Sequence, residues 1–166
     1  MLKTLRKADD MLNSVFTYLS VVLLVIIIIS TSIQVFTRYI LNASLSGTDE
    51  VARFAFIWMS MMGASICVRN NGHAVVSILN DALKRKPRTQ KSHEILIQAL
   101  IVIGSLVLLV YGVKLVGATG AQRSAGLGIP MSYTYACVPF GALGMIINGI
   151  VNIVDAIAAM KGGTSK

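Results

Sequence analysis

The part of this sequence best equipped for chemistry is short: Asp49-Glu50-Val51-Ala52-Arg53, with Arg38 upstream and Trp58 downstream. On a helix, Asp49 and Arg53 stand four apart on one face and can form an ion pair, which Glu50, three from Arg53, can share. Thr48 can cap such a helix, and carboxylates in its first turn suit the positive end of the helix dipole. The cluster has two physical uses. It can start a helix at a membrane edge or dock a partner, and the residue types favour neither.

Other chemistry is poorly provided for. His73 and His93 have no Cys or acidic cluster at metal-ligand spacing beside them, so no metal and no cofactor is expected. No G-x-S-x-G nucleophile motif occurs. Cys67 and Cys137 form no C-x-x-C pair and are read as small packing residues. The chain is therefore not expected to be an enzyme.

Hydropathy shows which elements must position the cluster. Of 166 residues, 55% are hydrophobic and 13% charged, with mean hydropathy +0.73. A soluble domain carries about 25% charged residues. Here the charges collect at the ends and in one central segment. They leave four apolar stretches, about 11–40, 48–68, 92–116 and 131–157, each able to supply the ~20 residues of a spanning helix. The predicted fold is an all-α integral membrane protein with four transmembrane helices, forming a single domain over 1–166. The first stretch would extend about 45 Å against a hydrocarbon core of ~30 Å, so it must tilt or protrude. It is too long for a signal h-region and no A-x-A site follows it, so it is read as an uncleaved span. After the second span, Val75, Ile78, Leu79 and Ala82 share one helical face, with Ser77, Asn80 and Asp81 opposite. This pattern predicts a short amphipathic helix over 73–83, lying in the interface plane. A glycine-rich segment, 117–130, breaks the helical pattern before the fourth span.

Lys and Arg placement orients the chain. One side holds Lys3, Arg6, Lys7, Arg69, Lys84, Arg85, Lys86, Arg88, Lys91, Lys161 and Lys166; the other holds Arg38, Arg53, Lys114 and Arg123. Eleven against four makes the first side cytoplasmic and puts both termini there. The net charge of +8 then reflects topology, and no nucleic acid partner is expected. Arg69, His73, Lys84, Arg85, Lys86 and Arg88 are the expected membrane-interface residues, and membrane lipids are expected partners of the chain.

Ionisable groups deep in a membrane mark transport paths. No span here has a carboxylate near its middle, and none has a Gly/Pro break at its centre. The chain alone is thus a poor conduit. Gln34, Ser60, Gln98, Ser105, Asn148 and Asn152 suit hydrogen bonds between helices. Ser60 with Ala64, Gly63 with Cys67, and Gly141 with Gly144 would let another helix approach closely. That helix could belong to this chain or to a partner.

Arg38-Tyr39, Asp49-Glu50-Val51-Ala52-Arg53, Trp58, Gly63-Ala64, Arg69 and His73, in this order and spacing, resemble the small membrane subunit of tripartite ATP-independent periplasmic (TRAP) transporters, the DctQ-like family. Gly47 stands where that family often has Trp, and Asp49 where it has Glu. The resemblance implies a multi-pass protein of the bacterial inner membrane. Its implied partners are a large TRAP membrane subunit, which moves substrate and sodium by an elevator motion, and a periplasmic substrate-binding protein. The cargo would be an organic acid such as sialic acid or a C4-dicarboxylate, with no substrate-binding residues in this chain. Arg38, Asp49, Glu50, Arg53, Trp58, Ser60, Gly63 and Ala64 become the expected partner interface. Two rival readings are an accessory or assembly subunit of another inner-membrane complex and a small autonomous exporter or channel. The latter needs midplane ionisable groups or a polar pore lining.

Overall fold

The computed structural model describes residues 2–42, 46–70 and 87–162. The predicted interfacial helix 73–83 and its neighbours Lys84, Arg85 and Lys86 lie outside these residues. Helix α1 runs Leu2–Tyr39. At 1.5 Å per residue its 38 residues extend about 57 Å, so it projects well beyond a ~30 Å core. The chain leaves it through Asn42 at φ 49°, a left-handed conformation that Asn tolerates. Helix α2, Ser46–Arg69, begins two residues before Thr48. Thr48 therefore lies inside the first turn rather than capping it, which corrects the expected start. Helix α3, Pro87–Ala118, opens on a proline. Its missing N–H would be unpaired there in any case. Pro87 and Arg88, which lie before the expected third span at 92–116, are thus the first residues of this helix.

The fourth span is divided into α4, Met131–Tyr135, and α5, Cys137–Gly162. Pro139 has no N–H to return to the carbonyl four residues earlier, and the helix breaks one turn before it. Four helical segments among the described residues are long and apolar enough to cross a membrane: Asp9–Tyr39, Gly47–Arg69, His93–Ala118 and Met131–Ala159.

The helices pack in a row, α1–α2–α5–α3, with α1 also touching α5. Spans two and four lie side by side and run in the same direction. Gly141 faces Met61, Gly144 faces Ser65, and Asn152 reaches the Val68 carbonyl. Helix α1 runs opposite to them, placing Phe16 against Gly144 and Arg6 on Asp155. On the far side of α5, Val102 of α3 meets Gly149, and Gly112 meets Val138 and Pro139. The apolar core is thin: Phe16, Ala55, Met62, Val68, Cys137, Ala142 and Met145. The fourth span lies at the centre, with 44% of its most apolar stretch buried in the chain, against 6% for the first.

Candidate functional site

Asp49, Glu50 and Arg53 stand at the start of α2, where that helix meets the end of α1 and the segment 119–130. The predicted pair forms: Arg53 Nη2 lies 2.6 Å from Asp49 Oδ2, while Gln34 Nε2 of α1 donates to Asp49 Oδ1 at 3.2 Å. Both ion-pair partners are substantially exposed, so the pair contributes at most about 1 kcal/mol. Glu50 does not share Arg53. Its Oε1 accepts the Gly126 N–H at 2.8 Å and its Oε2 the Leu127 N–H at 2.9 Å. The carboxylate therefore clamps the 119–130 segment onto α2. That segment is built as a loop of its own, with Ser124 N–H to Ile129 O at 2.9 Å, Met131 N–H to Gln122 O at 2.9 Å, and Arg123 Nη1 to Gly128 O at 2.9 Å. Gly128 supplies its tight turn at φ 67°.

Trp58, one turn deeper on α2, donates its indole N–H to the Tyr133 carbonyl at 3.1 Å, and its ring lies 6.0 Å from Phe140. It joins α2 to the broken start of the fourth span. Arg38 is exposed and forms no ion pair among the described residues. Of the four charged residues expected to gather, two pair, one holds a loop, and one stands apart. A cleft of about 580 Å³ opens between α2, the loop and α4, with Arg53, Phe54, Arg123, Thr134 and Tyr135 among its walls.

The opposite end is joined by side chains that the sequence reading passed over. Arg69 bonds Asp9 at 3.4 Å and also pairs with Asp10. Arg69, expected at the membrane interface, has a side chain only 33% exposed and engages two carboxylates of α1. Asp9 is 4% exposed and needs that partner, since an unpaired charge there costs several kcal/mol. Asn13 and Asn148 face each other, with Asn13 Nδ2 donating to Asn148 Oδ1 at 2.8 Å. Asn148 Nδ2 reaches the Ser65 carbonyl at 2.8 Å, so this fully buried side chain ties α1, α2 and α5 together. Asn152 Nδ2 adds a bond to the Val68 carbonyl at 2.8 Å. Arg6 pairs with Asp155, whose hydrogen bond and charge raise the guanidinium above its ordinary value. The spacing Asp9, Asn13, Phe16 was the available signal: it places these residues on one helical face. Their position in a mostly polar N-terminal stretch concealed it.

The small residues separate into two sets. A Cβ on Gly141 would lie 2.8 Å from Met61 Cβ, and one on Gly144 2.6 Å from the Phe16 ring, so these glycines serve packing within the chain. Gly63 is exposed and meets nothing within 4 Å. Ser60 is exposed beside it, its hydroxyl bonded to the Phe56 carbonyl of its own helix, and Ala64 is half-buried. Cys67 and Cys137 are both free. Among the described residues no cluster of three or more His, Cys, Asp or Glu could hold a metal ion.

Comparison with known proteins places this architecture. Residues 27–159 match the family described as tripartite ATP-independent periplasmic transporters, DctQ component. The chain is 27% identical over 169 residues to the sialic acid TRAP transporter small permease protein SiaQ of Vibrio cholerae, covering 99% of this chain and 92% of that one. A putative TRAP transporter small permease protein of Haemophilus influenzae is 29% identical over 79 residues, covering 48% of this chain and 49% of that one. The sialic acid TRAP transporter permease protein SiaT, also of Haemophilus influenzae, is 23% identical over 117 residues; these cover 70% of this chain and only 19% of that much longer protein. With four helices able to span a bilayer and a family match over most of its length, the chain is an inner-membrane protein that belongs to the DctQ component family of TRAP transporters.

Proposed function

We propose that this small permease subunit is the fixed frame against which a large TRAP membrane subunit moves, in sodium-coupled, elevator-type uptake of an organic acid brought by a periplasmic binding protein. The observation that carries this reading is the way the chain distributes its bonds. Its polar side chains connect its own helices at both ends, while only 6% of the most apolar stretch of α1 is buried by the rest of the chain. Such a layer is internally rigid and externally uncovered, as a frame must be. A moving domain transports nothing if its support moves with it.

The partial match to SiaT supports a large neighbour, because a segment like this one lies within a longer permease chain there. Sialic acid is the leading cargo, since the full-length relative is named for it, and a C4-dicarboxylate is the second. Leu2 and Gly162 lie at the end bearing Arg6, Arg69 and Asp155, and the excess of Lys and Arg assigns that end to the cytoplasm. The Glu50 end then faces the periplasm. There Arg38, Asp49, Glu50, Arg53 and Trp58 form the rim contact, with Asp49 and Glu50 acting by holding α1 and the 119–130 loop in place. Ser60, Gly63 and Ala64 continue that contact into the membrane.

The test is reconstitution with the large subunit and the binding protein under a sodium gradient, with labelled sialic acid and a labelled C4-dicarboxylate offered in turn. Uptake of one acid should depend on sodium. The double reversal Glu50→Lys with Arg53→Glu should reduce it about tenfold, the effect of losing roughly 1.4 kcal/mol of interaction, with insertion unchanged. Flux through this chain alone, or full uptake by the double variant, would overturn the proposal.

A further inference from the structure

The cleft at the Glu50 end changes character with depth. Arg53 and Arg123 stand among its walls together with Phe54, Ile57, Met131 and Tyr135. Four residues separate Arg53 from Ile57, which is about 6 Å along α2. Arg53 therefore stands nearer the end of α2, with Ile57 a turn further into the membrane, and Arg123 belongs to the loop that closes this end. A guanidinium offers five N–H donors. Arg53, with its side chain 64% exposed, gives one nitrogen to Asp49, and Arg123 gives one to the Gly128 carbonyl. The neighbouring carboxylates are already engaged, Asp49 by Gln34 and Arg53, and Glu50 by two loop amides. Thr134, another wall residue, is 2% exposed, and its hydroxyl has no hydrogen-bond partner among the described residues.

A volume of about 580 Å³ is that of a small-molecule site and excludes a folded domain. An occupant that uses both walls must carry an anion at one end and hydrocarbon at the other. A free sugar acid or inorganic phosphate would leave the apolar wall unused.

We propose that this cleft binds a glycerophospholipid of the adjoining leaflet, with Arg53 and Arg123 bridging its phosphodiester and Phe54, Ile57, Met131 and Tyr135 covering the glycerol and the first acyl carbons. The bound lipid would fill the junction between α2, the clamped loop and the broken start of the fourth span. The inference rests on the four-span fold and not on the transport reading, so its failure would leave that reading intact.

The full chain in nanodiscs, doped with a phosphatidylglycerol carrying a photoreactive group near the start of one acyl chain, provides the test. Cross-linked peptides are identified by mass spectrometry. Label is expected in the peptides holding Phe54, Ile57, Met131 and Tyr135. In R53Q/R123Q it should fall about tenfold there, the loss of a charge-assisted contact, while label around Tyr111 on the exposed face of α3 stays constant. R53K/R123K should retain most of the label, and the single variants R53Q and R123Q, each expected to lose label at the cleft, decide the matter if the glutamine pair does not fold. R38Q, at the same rim but outside the cleft, should have no effect. Undiminished label in R53Q/R123Q, or in both R53Q and R123Q when the pair does not fold, would overturn the proposal. So would loss of label on adding millimolar inorganic phosphate, which would mark a free-anion site. Displacement of the label by the large subunit would assign the cleft to a protein contact instead.

Discussion

Glycine marks two opposite surfaces of this protein. Along the fourth span, Gly141, Gly144 and Gly149 are filled: a Cβ at each would come within 2.8 Å or less of Met61, Ser65 or Val102. On the outward faces of α2 and α3, Gly63 and Gly104 meet nothing within 4 Å. In the sequence the two sets look alike, as small residues spaced along apolar helices. Two of them, Gly141 and Gly144, allow spans two and four to lie side by side in the same direction, with backbones close enough for Asn148 to reach Ser65. The open set has no such use within the chain. A surface where close approach is possible but does not occur is consistent with the helix of another subunit completing it, as the proposed frame requires.

The sharpest way to break this comparison is at Gly141. Valine there would drive a Cβ to 2.8 Å from Met61 Cβ and 3.0 Å from the Met61 carbonyl, atoms that cannot rotate away. Helices α2 and α5 would have to separate, at a cost of about 3 kcal/mol. The protein has one Trp, Trp58, which bonds to Tyr133 across this same junction. Its fluorescence should show G141V unfolding well below wild type in detergent. An unchanged midpoint would mean that the filled surface is not what holds the chain together.

A smaller effect is expected at Asn148, which holds the same helices by polar bonds rather than by contact. Asn148→Ala removes the partners of Asn13 and of the Ser65 carbonyl. Interhelical hydrogen bonds in membranes are individually modest, so the loss should be about 1.5 kcal/mol. The same fluorescence measurement checks it. A loss equal to that of G141V would show that the polar hub, and not the glycine surface, dominates.

How far the sequence could be read follows from this difference. The four spans were legible because bilayer thickness imposes a length and an apolar composition that no tertiary contact can override. The Asp49–Arg53 pair was legible because it depends only on four-residue spacing within one helix. Glu50 was not, because its partners are backbone amides 76 and 77 residues away in a loop whose shape no local pattern records. The ion pairs of Arg69 were missed for the same reason. A basic residue at a membrane edge has headgroups as its default partner, and only the long α1 extension brings Asp9 and Asp10 to it. Gly63 and Gly141 could not be separated at all, since which face of a helix is covered depends on the neighbour and not on the helix.

The smallest effect on the chain itself is expected at Gly63, and it is the most informative about the partner. Because this position is exposed and open, Gly63→Ala removes only the conformational freedom of glycine and should raise stability, by up to about 1 kcal/mol. Gly63→Leu should likewise leave the chain's own unfolding midpoint near wild type. The two variants should differ in complex formation. If a partner helix lies against Ser60, Gly63 and Ala64, alanine will be tolerated and leucine will hold the two backbones apart, lowering co-purification with the large subunit. Each possible result has a distinct meaning. A G63L chain that unfolds early by itself would show that the open surface is filled after all, and the contrast with Gly141 would vanish. A stable G63L chain that still binds the large subunit would keep the contrast but assign this face to lipid, moving the protein contact to α1 or α3.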